Sequence, residues 1–505
     1  MMFRWKATVA AVAVAALALA GCTPTDEPGG DTSLVLGQII APNTFDVSQA
    51  EWGNRALYFQ AVYDTLLNQT AEGEIEPWLA TDYSYNDDFS ELTLTIRDGI
   101  TFTDGTELTA EIVAQNLERY QNSGGPFSTD LINVSDIEAT DDATVVLTLS
   151  APDPALLTYL ARSAGLVASP AMFDAEDAAT NPIGTGPYIL DVAASVVGTS
   201  YVFEKNPDYW NPEVQHYDSL TINVLSDPTA AVNAIKAGEV DAVRLADNNN
   251  VAEIEAAGWA INPNELDFQG LLLLDRGGQI DSALGDVRVR QAINYALDRE
   301  GLLQAIAQGY GTVTTQVFKE SSDAYDPALD ERYPYDPDKA RALLAEAGYA
   351  DGLTLPAPST VVLGATAYAL IEQQLADVGI TLQYTDVPPE DYIAALTGAK
   401  YSTAFMALEE QADWQLIQFM ISRTAGFNPF KFGDATTDEL IAAIQAGDAA
   451  TQAEKAAELN AYIVEQAWFA PFYRVAAGYA TDPGTSITIM PTNAVPSLYD
   501  IRPAD

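Results

Sequence analysis

The chain has 505 residues, 48% of them hydrophobic, and sets 23 Lys and Arg against 72 Asp and Glu, a formal net charge of −49. So acidic a sequence lacks the clustered Lys/Arg that displaces counterions from a phosphate backbone, which excludes nucleic-acid binding and disfavours direct adhesion to anionic lipid. The acids are dispersed and read as solvated surface that keeps a protein soluble and monomeric and draws cations, while 24 Tyr, 17 Phe and 7 Trp support packed cores that at this length divide into two or three lobes.

Residues 1–21 read as an export signal. Arg4 and Lys6 precede an apolar run from Ala7 to Ala20, followed by Leu19-Ala20-Gly21-Cys22. The run is too short to span a hydrocarbon core, which takes roughly 20 helical residues. Leu-Ala-Gly-Cys resembles a bacterial lipobox, whose Cys is acylated and becomes the new N-terminus. Cys22 is the only cysteine. It has no partner for an internal disulfide, and lipidation accounts for a lone thiol outside the cell. Cleavage removes two positive charges and no acid, moving the net charge from −49 to −51. Residues 22–32 form a lipidated tether, flexible by its Pro, Gly and polar content. The expected location is the outer face of the cytoplasmic membrane, lipid-anchored.

Beyond the tether, SLVLGQIIAPNTFD (33–46) opens with a β-rich run and ends in a Pro-Asn turn. RALYFQAVYDTLL (55–67) places Leu57, Ala61, Val62 and Leu66 at helical spacing. Leu92 to Ile96 alternates as a strand and breaks at Asp98-Gly99. Thr109 precedes a helix with Ile112, Val113, Leu117 and Tyr120 on one side, and ATVVLTLSAP (143–152) is a strand stopped by proline. Asp227-Pro228 and Gly238 bracket one helix, with the strand VDAVRL (240–245) after it, and Asp336-Pro337 and Gly348 bracket another. Ala365 to Gly379 reads as a helix before the strand ITLQYTDV, and Thr436-x-x-Glu439 fits a capping box ahead of LIAAIQAG. Helices alternating with strands predict mixed α/β lobes around parallel-rich sheets.

Covalent chemistry is poorly provided for. One histidine, His216, sits in the polar stretch NPEVQHYDS and reads as structural or surface. One His and one lipidated Cys exclude His-rich zinc sites, Cys-based sites and iron–sulfur ligation, so neither metal nor cofactor is expected. The sequence has no G-x-S-x-G elbow, no phosphate loop and no dinucleotide fingerprint. Gly184-Thr185-Gly186-Pro187 is glycine-rich, but Pro187 lacks the N–H an anion cradle wants, and a tight inter-lobe turn is the preferred reading. The residues equip the chain for binding, with no catalytic residue to name.

An ordered set of motifs resembles one family. VYDTLL (62–67), EGEIEPWLATDYSYNDD (72–88) and LTIRDGITFTDGTELTAEIV (94–113) open the series; NPIGTGPYIL (181–190), NPDYWNP (206–212), IKAGEVDAV (235–243) and DVRVRQAINYALDREGLL (286–303) continue it. YDPDKARALLAEAGY (335–349) and QQLADVGITL (373–382) complete it. Together they resemble the peptide/nickel class of ABC-transporter solute-binding proteins, the bacterial extracellular solute-binding proteins of family 5. The resemblance implies a two-lobed periplasmic-binding-protein-like α/β fold with hinge crossings and an extra domain inserted in the N-terminal lobe. Lobe I would comprise 33–56, 182–265 and 480–505, the inserted domain 57–181 and lobe II 266–479. It implies hinge closure on a ligand and delivery to the permease transmembrane subunits of an importer, the lipid on Cys22 being the contact with the membrane.

Ligand contacts are implied at Glu51, Trp52 and Gly53, at Gly125-Pro126-Phe127, and at an acid in EEQADWQLIQF (409–419) that pairs with a ligand amine. Glu410 is the closest match by position, with Asp413 or Glu409 able to take the role. Trp52, Phe127 and Trp414 would supply apolar walls or cation–π faces. Arg423 and Arg474 could meet a ligand carboxylate, and structural ion pairs explain them equally well. The expected ligand is a peptide or related amine-bearing solute; a nickel chelate, an opine-like compound or a sugar is the alternative. A carboxylate-dependent surface hydrolase and an extracytoplasmic sensor or chaperone are competing readings from other classes.

Overall fold

Burial of alternate residues turns the apolar run that opens at Ser33 into a strand. The computed structural model describes residues 32–125, 127–409 and 411–504; Cys22, Pro126 and Glu410 lie outside the described residues. β1 (Ser33–Gln38) buries Leu34 and Leu36 and lies centrally in a nine-stranded sheet. α1 (Ala56–Val62) follows, with all seven residues buried. It stops where Tyr63 turns extended, so Leu66 is not on this helix as its spacing predicts; it belongs instead to the core of the next unit.

That unit is a four-stranded antiparallel sheet, β2 (Ala80–Tyr85), β3 (Glu91–Ile96), β4 (Val134–Ala139) and β5 (Thr144–Leu149), in the order β2-β3-β5-β4. α2 (Ala110–Asn122) covers it, burying the predicted Ile112, Val113, Leu117 and Tyr120. Thr109 caps α2, its hydroxyl accepting from the Ile112 N–H at 3.3 Å. After α3 (Leu156–Leu160) the chain returns through Gly184-Thr185-Gly186. This turn presses on Val62–Asp64, Gly186 N donating to the Val62 carbonyl at 3.1 Å. It therefore fastens the returning chain to the end of α1; it is not the turn between the two lobes expected from its composition.

β6 (Tyr188–Leu190), β7 (Ser200–Lys205) and β8 (Ser219–Val224) form an antiparallel meander at one edge of the main sheet. α4 (Pro228–Ala237) obeys its punctuation: Asp227 accepts from Ala230 N, and Gly238 closes the helix at φ +65°. β9 (Ala242–Arg244), the 14-residue β10 (Ala260–Leu273), β11 (Leu353–Ser359), β12 (Ile380–Asp386), β13 (Thr403–Glu409) and the 13-residue β14 (Phe469–Thr481) complete the framework. The main sheet runs β13-β10-β14-β9-β1-β8-β7-β6, with Gly311–Val313 adding along β14.

Among the described residues only β1 with β8 and β1 with β9 pair in parallel in that sheet, together with β11 and β12 elsewhere. The expectation of parallel-rich sheets fails for a specific reason. β10 and β14 are long antiparallel partners: their pairing begins at Ala260–Thr481, beside β9, and continues to Leu272–Phe469, where β10 also pairs with β13. Two strands thus thread both lobes. The capping box also moves. Asp434, not Thr436, caps the helix Ala435–Ala446, because the Asp434 carboxylate accepts from Thr437 N at 2.9 Å while the Thr437 hydroxyl accepts from Asp434 N at 3.0 Å.

Candidate functional site

Between the lobes lies a cavity of about 310 Å³. One wall is made by Trp52 and Gly53, on the loop beyond β1, by Phe127 just after α2, and by Asp130, Tyr159, Arg162 and Ser163 around α3. The facing wall is Glu409, at the end of β13, with Gln411, Gln415, Gln418 and Phe419. Phe127 leaves 43% of its surface exposed on this wall. Trp52 is half-buried against the core around α1.

Of the residues singled out in the sequence, Trp52, Gly53, Phe127 and Glu409 meet at this cavity. Glu51 instead pairs with Arg55 one helical turn on. Gly125 packs against the Ser48 carbonyl. Asp413 hydrogen-bonds Ser322 and lines a neighbouring cavity of about 440 Å³ with Lys319, Glu72 and Glu74. Burial pushes its carboxyl up. Trp414 reaches that second cavity but is only 6% exposed and packs in the core around Phe268, Leu272 and Ile417, so it is no wall of the first. Arg423 pairs with Asp438 at 2.8 Å on the surface, and Arg474 is buried, donating to the Phe318 carbonyl at 2.9 Å. His216 meets the Tyr499 carbonyl at 3.1 Å, the structural role its context suggests.

The sequence reading missed Arg162. Its Nη2 donates to Gln69 Oε1 at 3.1 Å and to the Thr492 carbonyl at 2.8 Å, while Nε is sealed from solvent without a partner. Burial pushes the guanidinium down from its ordinary value, and the charges of Glu409 and Asp130 pull it back. Asp130 is pushed up to about 7, chiefly by burial. Asp267 stands opposite Glu409 in the β10–β13 pairing and is pushed up to about 6 by burial and by that facing carboxylate. Like charges set directly across a strand pair repel, and Glu409 is the member of this pair that lines the cavity. Among the described residues no group of three or more His, Cys, Asp or Glu could hold a metal ion. The site can bind: among the described residues it offers rings, amides, one cation and two carboxylates, Asp130 and Glu409.

The profile of the bacterial extracellular solute-binding proteins, family 5 (middle region), matches residues 74–426. The chain belongs to that family. The receptor is 29% identical over 431 residues to the glutathione-binding protein GsiB of Escherichia coli (strain K12), covering 79% of this chain and 81% of that one. Its fold matches the periplasmic binding protein DppA from Helicobacter pylori in complex with the peptide STSA, at TM-score 0.75 and 20% identity over 94% of this chain and 98% of that chain. It also matches NikA from Brucella suis in complex with Fe(III)-EDTA, at TM-score 0.78 and 21% identity over 94% of this chain and all of that one (100%). The protein is a two-lobed solute-binding receptor working with an ABC-type importer, and it is not an enzyme. The surface-hydrolase reading is thereby set aside.

Proposed function

We propose that the receptor captures peptides or related amine-bearing solutes, anchored outside the cytoplasmic membrane through the lipid on Cys22, and presents them as a monomer to the permease transmembrane subunits. The observation that carries the ligand class is the cavity itself. Aromatic Trp52 and Phe127 face Glu409 across it, with Asp130 on the same surface as the rings. Desolvated carboxylates are costly unless a cation meets them, and an ammonium group does so with charge-assisted hydrogen bonds. The order of strands supports a lobe I of 33–56, 182–265 and 480–505 and a lobe II of 266–479; α1 packs with β1 and β8, which favours an inserted domain that begins after Tyr63 instead of at residue 57. Closure then works by contacts made only when both walls reach the ligand, because a ligand with equal affinity for open and closed forms shifts nothing.

Among the described residues no helix is long and apolar enough to cross a membrane. An acyl anchor keeps such a receptor near its permease and raises effective concentration without a new contact; Cys22→Ala should release it into the medium or periplasm with ligand affinity intact. The ligand reading is tested by calorimetry and thermal shift against di- and tripeptides, with sugars and metal chelates as the contrasting sets. Saturable binding of peptides without turnover is expected. Binding confined to sugars would overturn the amine-bearing class.

A further inference from the structure

α3 and the turn before it are shared between two cores. Leu156 and Leu160 pack in the core of the four-stranded sheet β2–β5. Ala155, one residue before the helix, packs instead with Phe268, Ile444 and Ala456. Tyr159 packs against both cores. Asp153 ties the turn to its own sheet, accepting from Ala155 N at 3.0 Å and from Asn133 Nδ2 at 2.9 Å. Across the joint, Gln445 on the helix Ala435–Ala446 donates from Nε2 to the Pro152 carbonyl at 3.2 Å. Voids flank this joint. One is the cavity of about 440 Å³ that Asp413 lines. The other, about 200 Å³, lies between the rings of Tyr85 and Phe89 and the start of the helix Ala449–Glu465. Pro154 and Ala449 line both voids, so the joint is a narrow ridge.

Pro152, Ala155 and Gln445 are not among the residues that line the cavity of Trp52 and Glu409. Yet α3 leads directly into Tyr159 and Arg162 of one cavity wall. The helix that carries Gln445 shares its core with Ile417 and Met420, beside Gln418 and Phe419 of the facing wall. Movement of one wall against the other must therefore make or break this joint. Its hold is modest: one small buried side chain and one neutral hydrogen bond, which alone is worth about fivefold in an equilibrium. A contact that forms only in the closed state raises the closed population, and apparent ligand affinity rises with it although the ligand touches none of these atoms.

We propose that Ala155 and Gln445 are positioning residues of a closure latch outside the ligand cavity, which sets ligand affinity and release by holding the closed receptor together. The proposal holds for any ligand class. The test compares the full receptor with Gln445→Ala, Gln445→Glu and Ala449→Trp. Ala449 is exposed, so an indole there wedges the joint while leaving both cores intact. The probe is the tightest binder in a panel of defined tripeptides, sugars and metal chelates, with rates read by surface plasmon resonance. Dissociation should quicken by roughly 3–10-fold in Gln445→Ala, the worth of one neutral hydrogen bond. Gln445→Glu should lose at least as much, because its carboxylate meets the Pro152 carbonyl as a second acceptor, and Ala449→Trp should lose more. Association should stay within about twofold of the parent, as expected for an effect on the lifetime of the complex, and denaturant midpoints should not move. Unchanged dissociation in all three variants overturns the latch, and so does an effect confined to association. Faster dissociation matched by a lowered denaturant midpoint makes the role structural and overturns it too. If no member of the panel binds, small-angle scattering decides: a larger radius of gyration in Ala449→Trp than in the parent is expected, and equal radii overturn the proposal.

Discussion

The indole N–H of Trp78 donates to Oδ1 of Asp64 at 2.7 Å, in the buried interior beside the end of α1. Tyr209 donates to the same oxygen at 2.8 Å, and Thr185 and Trp210 donate to Oδ2 at 2.7 and 3.0 Å. Tyr499, near the C-terminus, stacks on Trp78 with ring centroids 5.0 Å apart, and the Arg97 guanidinium sits 4.5 Å over Trp210. One carboxylate, only 1% exposed, thereby joins chain segments that are far apart in sequence.

Asp64→Asn tests that junction. The two indoles can only donate, and they donate to different oxygens. Whichever way the amide is turned, its NH₂ faces an indole N–H. We expect a loss of roughly 2–4 kcal/mol from the unmade bond and the buried donors left facing each other. Denaturant unfolding with a tryptophan fluorescence readout measures it; a variant within about 0.5 kcal/mol of the parent, the range of an ordinary surface change, would contradict the geometry.

Gly184 and Gly186 should be equally intolerant, for steric reasons. A Cβ on Gly184 would stand 2.0 Å from the Val62 carbonyl oxygen, and one on Gly186 would stand 2.5 Å from the Val62 carbonyl carbon. Both obstacles are backbone, so relief requires moving α1 itself. Ala at either position is expected to cost more than about 2 kcal/mol, or to abolish folding. Gly198→Ala is the control. Its φ of +76° makes Ala strained, but a Cβ there meets nothing within 4 Å, so its cost should stay near 1 kcal/mol. Equal Tm shifts for the three variants would refute the contact argument.

These residues also show how much the sequence could reveal. Thr109, Asp227 and Gly238 act within a few residues of themselves, so their helix ends were readable. The motif resemblance brought Trp52, Gly53 and Phe127 to the cavity. Arg162 was not readable, because it sits in the apolar run LLTYLARSAGLV and its anchors, Gln69 and Thr492, lie 93 and 330 residues away. The largely antiparallel character of the main sheet was hidden likewise: the pairing of β10 with β14 joins Ala260 to Thr481, and no local pattern records it. Asp413 and Trp414 were placed by a loose match. A single turn of backbone past Glu409 was enough to send both side chains into a different cavity and core.

Asp130 should give stability a particular dependence on pH. Its carboxyl is pushed up from 3.8 to about 7, chiefly by burial. Between those values the folded protein holds a proton that the unfolded chain has released. Stability from this group is therefore fully present at low pH and is lost as pH rises towards about 7. Asn cannot titrate, so Asp130→Asn should gain on the parent as pH is raised from 4 to 8, and the difference should level off once the parent's Asp130 is ionised. Denaturant unfolding of both proteins across that range checks the sign; a constant difference would show that Asp130 titrates near its ordinary value.

Trp52 and Trp414 should separate binding from stability. Trp52 is half-buried on the cavity wall, whereas Trp414 packs in the core with Phe268, Leu272 and Ile417. Removing the first indole takes an apolar wall from the ligand but little from the core. Trp52→Ala should weaken ligand binding by about 10-fold or more, in keeping with a buried aromatic contact, with unfolding almost unchanged. Removing the second leaves a void between packed side chains, and Trp414→Ala should cost roughly 3–5 kcal/mol of stability. At a temperature where that variant stays folded, its affinity should match the parent's, since the lost ring does not reach the cavity of Trp52 and Arg162. Calorimetry and denaturant unfolding on the two variants give four numbers. Weakened binding from Trp414→Ala alone would move the ligand into the neighbouring cavity beside Asp413 and Lys319.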